Sequence, residues 1–121
     1  MPSRIPIRRL EDILANIDRI KQYTRDVSYD GFVEDERTLD AVERCLARIS
    51  EAASKLEGTA EALLPDQRWS AIRALGNIIR HEYDSVDPQI IWNIISKDLD
   101  TLRASVEDAL ENLRHESLQN P

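Results

Sequence analysis

The chain is poor in the residues that build compact β-structure and that cross-link secreted proteins. Its 121 residues include 3 glycines and 5 prolines, and aromatic side chains make up 5% of the sequence. Because glycine and proline supply most tight turns, this content is too small for a β-sandwich or β-barrel. Cys45 is the only cysteine. It excludes a disulfide within the chain and fits a reducing compartment.

Long apolar runs and an excess of basic residues are also missing. The longest apolar clusters, such as IIWNII, are far shorter than a membrane span, and the start MPSRIPIRRLED lacks the apolar run of a signal peptide. We therefore expect a soluble cytoplasmic protein without a membrane partner. The formal net charge of −7 argues against an extended coating of nucleic acid, and we expect no DNA partner. Any contact with RNA must come from a local basic cluster.

Helix-compatible residues dominate what is present. The sequence is 41% hydrophobic and 32% charged, and apolar residues recur at steps of three and four, as on one face of a helix. This period predicts helices over about residues 6–24, 34–56, 66–81 and from 88 onward. We therefore predict an all-α, up-and-down bundle of four to five helices. It forms a single domain over residues 1–121, with a frayed tail over 116–121.

Several local signals set the predicted helix ends. Gly58 is a stop signal just past the second helix, and Asp66 is a candidate N-cap of the third. Asp87 and Pro88 stand in the order expected where a helix begins. The polar stretch Ser96-Lys97-Asp98 could divide the last helix in two.

The loop that begins at Asp26 partly matches a calcium-binding EF-hand loop. The matching positions are Asp26, Ser28, Asp30, Gly31 and Glu34. The twelfth position, which must supply a bidentate glutamate, is Arg37. A plain polar connection is therefore the preferred interpretation. With one cysteine and two distant histidines, His81 and His115, we expect no metal site and no cofactor.

The third predicted helix carries the strongest candidate for chemistry. At about 100° per residue, its apolar residues point to one side, and a polar flank lies next to them, formed by Arg73, Asn77, Arg80 and His81. Guanidinium groups, an amide and an imidazole on one flank form a small anion site. Arg44 and Arg48, one turn apart on the second helix, could add to it. The alternative is a solvated helix end, where the helix dipole favours cations in any case.

The order of short motifs resembles that of the HepT-like toxins of the HEPN superfamily over nearly the whole chain. LEDILANIDRIKQYT resembles the family's first helix. F-x-x-D followed by DAVERCLARISEA resembles its second, where GEA is usual and this chain has Ser50-Glu51-Ala52. W-x-x-I, GN-x-I-x-HEY and VDPQIIWNII resemble the third and fourth helices.

This resemblance implies a homodimeric, metal-independent endoribonuclease, the toxin of a type VII system whose antitoxin is an MNT-type nucleotidyltransferase. The family motif is an arginine, a spacer of four to six residues, a histidine, one residue and a tyrosine. His81 and Tyr83 match it, and so does Asn77, the usual neighbour of the arginine, but Gly76 stands where the arginine is expected. Arg73 lies too far upstream of His81 to fit the spacer.

We expect Arg80 to replace the motif arginine. Helical side chains lean toward the N-terminus, so Arg80, one turn after Gly76, could lie back into the space that the missing side chain leaves. The competing hypothesis is that cleavage has been lost.

The resemblance and the chemistry together give each residue an expected role. His81 is the general acid or base, Asn77 is the positioner, and the phosphate clamp consists of Arg80 with Arg73, Arg44 and Arg48 in support. Tyr83 is the expected site to which the antitoxin attaches AMP, although it could simply pack against Trp92 or Trp69. Two other functions remain open: a non-catalytic module that binds the nucleotidyltransferase or a nucleotide, and a purely structural bundle.

Overall fold

The computed structural model describes residues 4–81 and 86–119, and these ranges are almost entirely helical. The elements are α1 (Arg4–Tyr23), α2 (Tyr29–Glu34), α3 (Glu36–Leu56), α4 (Gly58–Leu63), α5 (Trp69–His81), α6 (Pro88–Asn93), a π-helical turn (Ile94–Asp98) and α7 (Leu99–Gln119). No strand occurs within these ranges. The predicted all-α fold is confirmed, with α2 and α4 as additional short helices.

Ion pairs fix the direction in which the long helices run. Along α1, Glu11, Asp18 and Lys21 pair in turn with Arg114, Arg103 and Asp100, so the residue numbers fall along α7 as they rise along α1. α1 and α7 are therefore antiparallel. α3 packs against α1 on one side and against α5 on the other, which makes it the central helix.

The apolar stripe of α1 shows how the sequence period produces the core. Leu10, Ile13, Ile17 and Ile20 are each 0% exposed. They recur every three or four residues, so they line one side of the helix and face the buried stripe of α3. Burying each such side chain contributes roughly 1.5–3 kcal/mol relative to leaving it in water.

Capping side chains set three helix starts. Asp87 accepts a hydrogen bond from the Gln89 amide at 2.9 Å, with Pro88 in the first turn, as predicted. Asp35 caps α3 by accepting from the Thr38 amide at 3.1 Å. Ser28 caps α2 by accepting from the Gly31 amide at 3.1 Å. The segment after Ser28, which the calcium comparison treated as a loop, is thus a helix.

The predicted start of the third helix is wrong. The helix begins at Trp69, so Asp66 lies in the preceding turn and is not its N-cap. The reason is a local bond: the buried Trp69 indole donates to the Leu64 carbonyl at 2.8 Å and holds residues 64–69 in a tight connection. Gly58 follows the end of α3 as expected, but it is also the first residue of α4.

The last helical segment changes its winding where a division is predicted. Residues Ile94–Asp98 form a π-helical turn, and the chain continues directly into α7. α7 extends through Gln119, beyond Glu116, where the frayed tail is expected to begin. None of the described helices is both long and apolar enough to cross a membrane.

Candidate active site

The candidate site lies at the C-terminal end of α5. Trp69, Gly76 and Ile79 are buried and hold this helix against the rest of the bundle. Asn77, Arg80 and His81 are exposed on its outer surface. Arg80 and His81 occupy the last turn, where the negative end of the helix dipole favours cationic side chains. Three of the four residues of the predicted polar flank therefore lie on an accessible surface.

Gly76 is buried because α5 approaches α3 very closely there. A Cβ atom at position 76 would stand 2.1 Å from Ser50 Oγ and 2.6 Å from Ser50 Cβ. Ser50 is itself buried, and its hydroxyl donates to the Arg73 carbonyl at 3.0 Å. Ser50 therefore fills the space in which a side chain at position 76 would begin.

This contact corrects the expected path of Arg80. The side chain does not lie back into space left by Gly76, since Ser50 occupies that space. Instead, Arg80 Nη2 donates to Asn77 Oδ1 at 2.6 Å, and Nη1 lies 3.7 Å from Glu51 Oε2 of α3. The side chain remains 50% exposed, so the guanidinium is oriented by two neighbours and still faces solvent.

His81 lies beside this arginine and is exposed. Consecutive helical residues point about 100° apart, so the ring follows Arg80 around the outside of the helix. No described residue hydrogen-bonds to the His81 ring. The other histidine, His115, lies on α7 within hydrogen-bond distance of Gln119, 3.0 Å between the nitrogens.

Arg73 occupies a different environment from Arg80. Its guanidinium donates to the carbonyls of Ala53 and Glu57 at 3.1 and 2.7 Å, and it forms two 2.9 Å bonds with the Glu61 carboxylate. The pairing with Glu61 raises the pKa of Arg73, and the same bond lowers the pKa of Glu61. Arg73 thus ties α5 to the end of α3 and to α4, and its donors face protein acceptors.

The two supporting arginines of α3 lie on its exposed side. Arg44 and Arg48 are both exposed and one turn apart. Arg48 lines a pocket between α3 and α1, so it does not extend directly toward α5. Tyr83, the predicted modification site, lies outside the described residues.

Sequence reasoning missed two α3 residues that shape the site. Glu51 pairs with Arg80, and Ser50 fills the space above Gly76. A partial signal was present, because SEA replaces the usual GEA at these positions. Only the packing of α3 on α5 shows that the departures at 50 and 76 touch each other.

An open apolar groove of about 500 Å³ runs along the other side of α5. We call it the α5–α7 groove; it is lined by Leu46, Ile49, Ile72, Leu75, Ile78, Leu99 and Leu102. Ile78 is 44% exposed there. Asp66, Arg68 and Asp98 also border the groove, so its edge carries charges of both signs.

Comparison with known proteins identifies the family of this sequence. The family model described as "Ribonuclease HepT-like" matches residues 13–109. A Thermococcus cleftensis protein named "Probable ribonuclease HepT" is 30% identical over 98 residues, which cover 81% of this chain and 89% of that protein.

Two further relatives are named in similar terms. A "putative RNase" of Methanocaldococcus jannaschii is 28% identical over 116 residues, covering 96% of each chain. A "putative RNase" of Caldanaerobacter subterraneus is 28% identical over 108 residues, covering 89% of this chain and 96% of its own. No solved structure matches the chain. The family match covers the whole candidate site up to His81, and the chain belongs to the ribonuclease HepT-like family.

Proposed function

We propose that the chain is a metal-independent endoribonuclease in which His81 and Arg80 act on one RNA phosphodiester. The observation that supports this most directly is the exposed imidazole next to a guanidinium that Asn77 orients at 2.6 Å. An imidazole can transfer protons near neutral pH, and a planar guanidinium can bind two phosphate oxygens at once. No metal ion is required, because RNA carries its own nucleophile.

The reaction balances with the groups at hand. A base takes the proton of the ribose 2′-hydroxyl, the O2′ atom attacks the adjacent phosphorus, and the bond from phosphorus to O5′ breaks. An acid protonates the leaving O5′, giving a 2′,3′-cyclic phosphate and a 5′-hydroxyl. His81 supplies one of these proton transfers, and Arg80 stabilises the charge that grows on the phosphoryl oxygens.

A second copy of the chain would complete the site. The α5–α7 groove leaves Ile78 exposed next to Asn77, and an apolar surface of this kind favours protein contact. Its edge carries Arg68 and Asp98, which a twofold arrangement can pair across the interface. We propose that the dimer places two His81 rings in one cleft, where one serves as base and the other as acid. An Ile78→Asp variant that stays dimeric in light scattering would exclude this interface.

The proposed regulation involves a nucleotidyltransferase antitoxin and Tyr83. The phenolic oxygen of Tyr83, once deprotonated, attacks the α-phosphorus of ATP and releases pyrophosphate. The attached AMP places a negative phosphodiester two residues from His81, where it repels RNA. If the antitoxin neutralises a Tyr83→Phe variant by covalent modification, Tyr83 is not the acceptor.

The decisive experiment is cleavage of total RNA by the purified protein in EDTA. We expect products that end in 2′,3′-cyclic phosphate, and loss of cleavage in His81→Ala. His115→Ala is the matched control, since it removes the other exposed histidine on a different helix. Equal cleavage by the His81→Ala and wild-type proteins, or full inhibition by EDTA, would exclude the proposed mechanism.

A non-catalytic interaction module is the second candidate, and one observation favours it. Ser50 occupies the space at position 76, and Glu51 lies within 3.7 Å of Arg80, so the nearest guanidinium is partly neutralised. In that case the chain would bind the nucleotidyltransferase without cutting RNA. Expression in cells separates the two candidates: only a nuclease makes the wild type more toxic than His81→Ala.

A further inference from the structure

A second basic site lies on the opposite flank of α3. It is a pocket of about 350 Å³ between α1 and α3, here called the α1–α3 pocket. The basic side chains that line it are Arg9, Arg19, Arg48 and Lys55. Asp12 and Glu51 are the acidic ones, so cations outnumber acids by four to two in a chain whose net charge is −7. The pocket is therefore locally basic, although the protein as a whole is acidic.

Two of these cations face the pocket without a carboxylate partner. Arg9 lies 3.4 Å from Asp12, and Lys55 lies 3.6 Å from Glu51. Arg19 and Arg48 have no carboxylate within 4 Å among the described residues. Both line the α1–α3 pocket. Burial raises the pKa of the Cys45 thiol, while the charges of Arg48 and Arg19 and a hydrogen bond with Arg48 oppose that rise. Two guanidinium groups without a carboxylate partner thus line one pocket, and such groups can bind a phosphate.

The wall of the pocket also holds an unpartnered buried amide. Asn16 is 6% exposed; its Nδ2 donates to the Asp12 carbonyl at 2.8 Å, but Oδ1 has no partner. Arg9 Nε is likewise buried without an acceptor. Buried polar atoms are usually bonded, so an unused acceptor and an unused donor lining one pocket point to a ligand. A hydroxyl group can donate to an acceptor such as Asn16 Oδ1.

The α1–α3 pocket adjoins the candidate active site through one carboxylate. Glu51 pairs with Lys55 on the pocket side and with Arg80 of α5 on the other side, 3.6 and 3.7 Å away. The pocket is therefore near enough to Arg80 for a neighbouring nucleotide of a bound strand to reach it.

We propose that the α1–α3 pocket binds the RNA strand beside the cleaved bond, with Arg19 and Arg48 on a phosphate and Asn16 accepting from a ribose 2′-hydroxyl. This inference rests on the proposed function and adds a substrate subsite to it. It also gives the protein a means to prefer RNA to DNA away from the reacting atoms, because DNA lacks that hydroxyl.

The test measures binding separately from cleavage. A His81→Ala protein is titrated with a single-stranded RNA and with DNA of the same sequence, over a series of salt concentrations, by fluorescence anisotropy. Arg48→Gln and Arg19→Gln should each weaken RNA binding and reduce the slope of log K against log salt by about 0.7. Arg37→Gln is the matched control, because it removes the same charge from an exposed residue in the first turn of α3, about 16 Å along that helix from Arg48.

The Asn16 variant tests recognition of the ribose 2′-hydroxyl, which the arginine variants do not test. Asn16→Ala should lower the ratio of RNA affinity to DNA affinity by about three- to tenfold and leave DNA binding unchanged. If Arg48→Gln keeps the parent affinity and salt slope, or folded Asn16→Ala keeps the parent ratio, the proposal is overturned. If Asn16→Ala fails to fold, the two arginine variants decide alone. Failure of the nuclease itself would appear instead in the cleavage comparison of wild type with His81→Ala.

Discussion

Arg73 and Arg80 lie two turns apart on α5, yet their surroundings differ completely. Arg73 donates to two backbone carbonyls and both oxygens of Glu61, and its side chain is 24% exposed. Arg80 has one hydrogen bond, to Asn77, and a 3.7 Å contact with Glu51, and it is 50% exposed. One arginine holds three helices together, and the other stays open to a ligand.

The difference shows that one helix can carry a structural arginine near one end and an arginine accessible to a ligand at the other. The N-terminal part of α5 meets the end of α3 and α4, where carbonyl groups at helix ends need donors. The C-terminal turn meets the middle of α3, whose carbonyls are already bonded within the helix. A guanidinium there finds only side chains. Spacing in the sequence cannot distinguish the two arginines, because the distinction comes from which part of α3 each one faces.

Gly76 lies between the two arginines, and we expect its substitution to have the largest effect on stability. Gly76→Arg places a Cβ atom 2.1 Å from Ser50 Oγ, so we expect a loss of about 3 kcal/mol or more in the free energy of unfolding. The double variant Ser50→Gly/Gly76→Arg removes the clash and should recover most of that loss. Urea denaturation measures both proteins. Equal instability of the single and double variants would show that Ser50 is not the obstacle.

Arg80→Ala tests the more exposed of the two arginines. Removing a guanidinium that stabilises transition-state charge should lower the cleavage rate about a hundredfold, while the free energy of unfolding changes by less than about 0.5 kcal/mol. Cleavage assays and urea curves on the same preparation check both parts. Cleavage that survives in Arg80→Ala but disappears in His81→Ala would assign the phosphate clamp to another residue.

Arg73→Ala tests the arginine whose donors are bonded to protein acceptors. Loss of the bonds to the Ala53 and Glu57 carbonyls should cost about 2 kcal/mol of folding free energy, and Arg73→Lys should restore only part, because an ammonium lacks the planar fork. Cleavage by the remaining folded protein should match the wild type. A large loss of rate in a fully folded Arg73→Ala protein would move Arg73 into the active site.

The two arginines should also differ, by a smaller amount, in how they affect the pH dependence of folding stability. The hydrogen bond from Arg73 lowers the pKa of Glu61, so its stabilisation is complete above the unfolded pKa of about 4.5 and is lost as the pH falls through the lower folded value. Thermal melts should therefore show a smaller acid-induced loss of stability in Arg73→Ala than in Arg80→Ala. Identical pH profiles of the two variants would contradict this assignment.

The sequence predicted the long helices well because their apolar stripes are periodic over many turns. Leu10, Ile13, Ile17 and Ile20 on α1 are an example, and all are fully buried. The short helices were missed for a physical reason. α2 and α4 have six residues each, too few to show a period, and they are held by buried single contacts such as Phe32 and Ala60. The N-cap prediction for Asp66 is wrong because the Trp69 indole bonds to the Leu64 carbonyl and holds residues 64–69 in a turn.

The sequence predicts only those features of the site that depend on a single helix. The exposed flank with Asn77, Arg80 and His81 followed from helical geometry, and the structure places all three on the surface. The environment of Arg73 and the partners of Arg80 depend on the register of α3 against α5, which no periodicity encodes. The α1–α3 pocket was missed for the same reason, although a polar Asn16 within the apolar stripe of α1 was a visible exception.

The contact between Ser50 and Gly76 also limits how this protein can change over generations. While serine stays at position 50, an arginine at position 76 destabilises the fold, since its Cβ atom would overlap the hydroxyl. A glycine at position 50 would remove both atoms that a Cβ atom at position 76 approaches most closely. An arginine at position 76 is therefore compatible with this packing of α5 on α3 only together with a change at position 50.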